Sequence, residues 1–175
     1  MEPDESSHGE FASDSELASM LERRRIEAEI LHHVYETVKA AHGVAKARRI
    51  VGESVRRSAL AQGQTMAAAQ KAAAHGDAPG LAGFVAIQPL WTRGGALEIE
   101  LREKSDTVFA FDVKRCRYAE MYRDMGLAEI GPLLSCQRDA VFCEGFDPRL
   151  KFSRTQTIMQ GASHCDFRYE RKDEP

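Results

Sequence analysis

Apolar side chains recur at helical spacing through the first half of the chain and at a period of two through much of the second. Leu17, Met20, Leu21, Ala28, Leu31, Val34, Tyr35 and Val38 mark one face of a long helix over 15–43, with Asp14 or Ser15 as its N-cap and Gly43 as its stop. Val44, Ala47, Val51, Val55 and Ala59 form the stripe of a second helix over 44–62, opposite Arg48, Arg49, Arg56 and Arg57, a charged face that meets water. The alanine-rich stretch 65–74 predicts a third helix. A loop is expected over 75–80, with Gly76, Pro79 and Gly80, and a shorter helix over 81–90.

After Gly94 and Gly95 the period drops to two. Leu97, Ile99 and Leu101 alternate with Glu98, Glu100 and Arg102, which predicts a half-buried strand. Ser105 and Asp106 turn the chain into 108–114, a stretch apolar on both faces and so expected at the centre of an antiparallel sheet. Helical spacing returns over 116–125, which Gly126 stops, and again over 128–145. The alternating stretches 150–159 and 165–172, joined by Gln160, Gly161, Ala162 and Ser163, predict a closing hairpin. The expected fold class is α+β: N-terminal helices packed on a roughly four-stranded antiparallel sheet, with two further helices inserted between the strand pairs.

Composition narrows the picture. At 175 residues, 43% hydrophobic and 29% charged, the chain suits one compact domain, expected over 16–172. Residues 1–15 are polar and acidic, bury too little to offset their ordering entropy, and predict a disordered tail. The net charge is −3, and Glu2, Asp4, Glu5, Glu10, Asp14 and Glu16 all precede the first Lys or Arg, so the remainder carries a mild positive balance. That balance suits a small anionic substrate and falls short of the dense basic face of a nucleic-acid binder. No run approaches the roughly 18 apolar residues that span a bilayer, and the N-terminus lacks the basic-then-apolar order of a secretion signal. A cytoplasmic protein without membrane contact is expected. Its cysteines, Cys116, Cys136, Cys143 and Cys165, should then be thiols serving packing, metal binding or catalysis. Long apolar helix faces would also suit a homo-oligomer.

No GxGxxG, P-loop, HExxH or GxSxG motif occurs, which removes the commonest nucleotide, zinc-protease and serine-hydrolase readings. What stands out is a series of short blocks: Arg115-Cys116-Arg117-Tyr118-Ala119-Glu120, then Cys136-Gln137-Arg138-Asp139, then Arg154-Thr155-Gln156-Thr157, and finally Gly161-Ala162-Ser163-His164-Cys165-Asp166-Phe167-Arg168. In order and spacing these resemble the L-2-amino-thiazoline-4-carboxylic acid hydrolase family. The run from Arg23 to Leu31 is similar to that family's first helix, so the resemblance covers about 20–170. It implies hydrolytic opening of a small cyclic amidine-like ring, in which water adds at the carbon between nitrogen and sulfur. For the namesake substrate the product is N-carbamoyl-L-cysteine. The alternative is a noncatalytic small-ligand-binding or assembly module, because Gly161, Cys165 and Phe167 also resemble the closing pattern of vinyl-reductase-like domains.

Ring opening needs a nucleophile, a group that moves protons, and donors for a carboxylate and for charge at the attacked carbon. Cys136 and Asp139, three apart on a helix, share a face; His164 and Cys165, adjacent in a strand, point to opposite faces, so Cys165 is expected inward with Cys136. Cys165 and Cys136 are candidate nucleophiles or pocket-closing thiols, against plain burial as small apolar residues. Asp139 could orient a base or water, or pair with Arg154 or Arg168. Glu120, on the helical face of Cys116, is a candidate base, and His164 a candidate proton shuttle. Arg115, Arg154 and Arg168, together with Cys116 and Thr155, are candidates to hold the substrate, since guanidinium geometry suits a carboxylate. Cys143 is expected to be packing. No cofactor is expected; by ligand type, a divalent metal held by Cys116, Cys136, Cys165 and His164 is the alternative, although the paired CxxC spacing is absent.

Overall fold

The computed structural model describes residues 19–73 and 79–172. Helix α1 (Met20–His42) is capped by Ser19, whose hydroxyl accepts the Glu22 amide at 3.2 Å, so it starts later than the apolar pattern suggests. Asp14, Ser15 and the acidic segment 1–15 lie outside the described residues, as does most of the loop expected over 75–80. Gly43, with φ 82, turns the chain directly into α2 (Val44–Ala73). The sequence predicts a break in α2 near Gln62, yet it is one helix of 30 residues. Its buried row of Ala47, Val51, Val55 and Ala59 runs on through Gly63 at four-residue spacing. Packing there outweighs the roughly 1 kcal/mol by which glycine weakens a helix.

Two short helices, α3 (Gly80–Ala86) and α4 (Pro89–Thr92), lead into β1 (Leu97–Lys104) and β2 (Val108–Cys116). Then follow α5 (Arg117–Asp124), α6 (Arg138–Phe146), β3 (Leu150–Ser153) and β4 (Cys165–Arg171). The strands form one antiparallel sheet in the order β1-β2-β4-β3, so the α+β fold with helices between strand pairs is the observed one. β2 is central, as its two apolar faces suggest. The stretch expected as one helix over 128–145 is divided. A π-helical turn, Pro132–Cys136, is closed by the Gln137 amide on the Pro132 carbonyl at 3.0 Å, and α6 follows it. Proline brings no amide to a regular ladder, and Gln137 Nε2 ties the widened turn to the Gly52 carbonyl of α2 at 2.8 Å.

Phe109, Phe111, Val113, Cys165 and Tyr169 are buried on the sheet face that meets the helices. Phe111 stacks on Phe167 at 5.0 Å, and Tyr169 packs against Phe84 at 4.6 Å. The opposite face carries Asp112, Lys114, Asp166, Arg168 and Glu170. Ile99 and Leu101 do not take the half-buried place that their alternation predicts. They sit across from Val113 and Phe111, but β1 is an edge strand, and they are 40% and 54% exposed. A second core joins Ala28 and Tyr35 of α1, Val51 and Val55 of α2, and Tyr118 and Tyr122 of α5. Leu97 and Cys116 pack against both cores.

Candidate functional site

Where the two cores meet lies a cavity of about 80 Å³. Such a space suits one small ring, far below the ~300–1,000 Å³ of sites for drug-sized ligands. The groups on its wall are not those of ordinary packing: they include Cys116, Cys136, Asp139, Arg154 and Cys165. Cys116 closes β2, Cys136 ends the π-helical turn, Asp139 is in the first turn of α6, and Cys165 opens β4.

Arg154 organises this end. Its guanidinium lies over the rings of Phe167 at 4.9 Å and Phe152 at 5.3 Å. From that platform Nη1 donates to Asp139 Oδ2 at 2.5 Å and Nη2 to the Cys136 carbonyl at 2.9 Å. The Arg154 side chain is only 11% exposed, while Asp139 keeps 30% of its side-chain surface and lines the cavity. Burial pushes the Asp139 carboxyl above its usual range against the pull of Arg154. Burial also disfavours charge on Arg154, but the Asp139 carboxylate more than offsets this and raises its pKa. The thiols are pushed upward: Cys116 to about 11, where burial outweighs the amides that open α5, and Cys136 to about 12 by burial and by Asp139. Burial raises Cys165 too, against the Ile158 amide, which lies 3.2 Å from its sulfur. All three are therefore protonated at neutral pH.

A second charged group reaches the same cavity from the helices. Arg24 of α1 and Arg138 of α6 are 4% and 6% exposed, and both line it with Gln62 of α2. Arg24 Nη1 donates to both Glu27 oxygens at 2.8 and 2.7 Å, and Arg138 Nη1 approaches Glu27 Oε2 at 3.5 Å. Both arginines donate to Gln62 Oε1, at 2.7 and 3.2 Å. Burial, reinforced by the like charge of Arg24, lowers Arg138 to about 10.

The structure thus brings together Cys116, Cys136, Asp139, Arg154 and Cys165, and leaves the remaining candidates outside the cavity wall. Arg115 and Glu120 pair with each other at 2.7 Å with side chains 53% and 40% exposed. Arg168 bridges Glu103 and Glu170 on the outer sheet face. Thr155 is exposed and shares Asp166 with the Gln156 amide. His164, in the bend before β4, lies beside Gln156 Nε2 at 2.8 Å and Asp112 at 3.8 Å, on the outer face of the sheet, away from the side that Cys165 takes. Cys143 is buried packing. Sequence reasoning passed over Arg24, Gln62 and Arg138. For the two arginines a signal was present: Arg24 stands between Met20 and Ala28, and Arg138 between Leu134 and Phe142, each at four-residue spacing from apolar residues on either side. Among the described residues no group of three or more His, Cys, Asp or Glu side chains is placed to hold a metal ion, so the four-ligand set considered from residue type is not assembled.

Helices laid over one face of a four-stranded antiparallel sheet, with thiols, a carboxylate and guanidinium groups turned into a cavity beneath them, define the class: an α+β protein whose unusual chemistry is internal. Within that class, residues 23–169 match the family described as L-2-amino-thiazoline-4-carboxylic acid hydrolase, and the chain belongs to that family. A search of curated proteins gives no match. Among the described residues no helix is long and apolar enough to cross a membrane.

Proposed function

We propose that the protein is a hydrolase that opens a small cyclic amidine bearing a carboxylate, of the type of 2-amino-thiazoline-4-carboxylate, at the cavity between its two cores. The observation that carries this reading is the Asp139–Arg154 pair: a carboxylate held in a desolvated place, with its free surface on a small cavity. Desolvation makes that carboxylate a stronger base than one in water, and Arg154 fixes its orientation. The three neighbouring thiols, all held neutral, supply a soft, nearly apolar wall against the ring and its sulfur.

In this scheme a water oxygen bonds to the carbon between nitrogen and sulfur while Asp139 accepts the water proton. The tetrahedral centre collapses with cleavage of the carbon–sulfur bond, and the proton left on the added oxygen passes to the ring nitrogen as the carbonyl forms. Protonated Asp139 returns its proton to the departing sulfur, leaving a free thiol and an N-carbamoyl group. Atoms balance with one water added and no redox partner. Burial of the thiols argues against a resident thiolate as the attacking group.

The test is incubation of the purified protein with L-2-amino-thiazoline-4-carboxylate and related cyclic amidines, following new thiol and the N-carbamoyl product. Turnover by the wild type, lost in Asp139→Asn and kept in Cys165→Ala and Cys136→Ala, is the expected pattern. Turnover that disappears in Cys165→Ala would replace the water scheme with a thiol nucleophile. Ligand binding without any product across the panel would overturn the hydrolase in favour of a noncatalytic binding module.

A further inference from the structure

The Asp139–Arg154 pair is charge-balanced and turned on itself, so it leaves unanswered what holds the carboxylate of such a substrate. The surface arginines do not: Arg115 and Arg168 are engaged with exposed carboxylates away from the cavity. Among the described residues, the three guanidinium groups on the cavity wall, Arg24, Arg138 and Arg154, are opposed by two carboxylates, Glu27 and Asp139. Arg23 also meets Glu27 at 3.3 Å, but its side chain is 59% exposed and its charge is screened by water. An almost fully buried pair of cations sharing one carboxylate is a costly arrangement unless a further anion completes it.

We infer that Arg24, Arg138 and Gln62 form an anion subsite that takes the carboxylate of the substrate, at the helix-lined end of the cavity. The donors for it are in place. Arg24 spends Nη1 on Glu27 and one Nη2 bond on Gln62, and Arg138 spends Nη1 on Glu27 and Nη2 on Ser58 and Gln62. Among the described residues the Nε–H of each has no acceptor, and no fully buried side-chain nitrogen or oxygen lacks a partner, so these donors keep some accessible surface, on two residues that line the cavity. Gln62 receives both arginines on its oxygen, which holds the two guanidinium groups in a fixed relation. The class of ligand that answers is a single planar anion, a carboxylate, accepting from two guanidinium groups. The opposite end, with Asp139 and the thiols, then meets the uncharged or cationic amidine. The subsite rests on the hydrolase reading for the identity of its ligand but not for its anion affinity.

The experiment compares L-2-amino-thiazoline-4-carboxylate with 2-amino-thiazoline, the same ring without the carboxylate, by calorimetric binding and by thiol release, in wild type, Glu27→Gln and the charge-balanced Glu27→Gln/Arg138→Gln. Two charge-assisted bonds predict that wild type binds the carboxylate about 100-fold more tightly than the carboxylate-free ring. Glu27→Gln, which removes the one carboxylate that both arginines meet among the described residues, should tighten the carboxylate further and leave the carboxylate-free ring unchanged. The double variant should lose most of the preference. Equal affinity for the two compounds in wild type overturns the subsite, and needs no variant to fold. Thiol release at equal kcat/KM from both compounds overturns the subsite and leaves the hydrolase standing. Selective, Glu27-sensitive binding of the carboxylate with no thiol released supports the subsite and removes the hydrolase.

Discussion

The two faces of the sheet carry the same kind of ion pair in opposite settings. Outside, Arg168 meets Glu103 and Glu170, and Arg115 meets Glu98 and Glu120; the side chains of these pairs are 32–58% exposed. Inside, Arg154 and Asp139 pair at 2.5 Å over an aromatic platform, and Arg24 and Arg138 converge on Glu27. An exposed pair exchanges water for a partner of similar worth, about 0–1 kcal/mol, whereas a buried one faces a desolvation cost of several kcal/mol per ion. A fold that needed only stability would have no reason to put three guanidinium groups in its centre. Residue type alone is therefore a poor guide to a site: arginine and carboxylate are plentiful here, and only their dielectric surroundings separate solvated decoration from chemistry.

The largest effect expected belongs to the inner pair. Asp139→Asn keeps the shape and removes the basicity, so thiol release should fall about 10²–10⁴-fold, the usual span of a general base. Thermal melting and circular dichroism should show the variant folded; turnover within tenfold of wild type would reduce Asp139 to a structural partner of Arg154. Next comes the helix crossing that shapes the inner layer. A Cβ on Gly63 would stand 2.4 Å from the Phe142 carbonyl oxygen, and one on Gly145 2.4 Å from that of Leu60. Backbone cannot retreat as a flexible side chain can, so Gly63→Ala should destabilise by about 3 kcal/mol, at the upper end of overpacking costs, as read from the denaturant midpoint. An unchanged midpoint would mean that α2 and α6 slide freely, and the cavity wall with them.

The third effect is a pH shift on the inner face alone. Asp139 must be ionised to accept a proton. Burial raises its pKa, so kcat/KM should rise with pH through a limb lying above the ~3.9 of an ordinary aspartate and fade as pH drops through it. Arg154→Gln removes the charge that pulls this pKa down and should move the limb to still higher pH, which a pH profile of thiol release would show. A limb that stays put in Arg154→Gln would place the titrating group elsewhere.

Periodicity made much of the fold legible, because it reports burial. The rows of α1 and α2 and the two apolar faces of β2 all follow from it. It did not show that Ile99 and Leu101 would stand exposed, since alternation says which face a side chain takes and nothing of what covers that face. It also missed the π-helical turn, where Pro132 and the anchoring of Gln137 on Gly52 override a continuous helical pattern. For the site, residue type and block spacing pointed to Cys116, Cys136, Asp139, Arg154 and Cys165, which share the cavity, and equally to Glu120, Thr155, His164 and Arg168, which do not line it. Strand alternation separates His164 from Cys165 in advance; exposure of Glu120 and Arg168 depends on tertiary packing that local pattern does not contain. Arg24 and Arg138 stood inside the family-like blocks but were not singled out as site residues, although each interrupts an apolar row.

The smallest effects test the outer face directly. Arg168→Gln breaks two bridges at once, to Glu103 and Glu170, and Glu120→Gln removes the partner of Arg115. If solvent already screens these pairs, each change should move stability by less than about 0.5 kcal/mol and leave kcat/KM as it was. Arg168 sits on β4 only three residues from Cys165 yet on the opposite side of the sheet. A residue that near in sequence would, if the strand slipped its register by one, turn into the cavity, and activity would then depend on it. Antiparallel pairing of Ala110 with Arg168 and of Val113 with Cys165 fixes that register. A tenfold loss of thiol release in Arg168→Gln, with stability unchanged, would mean that the substrate reaches round to the charged face, and the division between an inner reactive layer and an outer solvated one would fail.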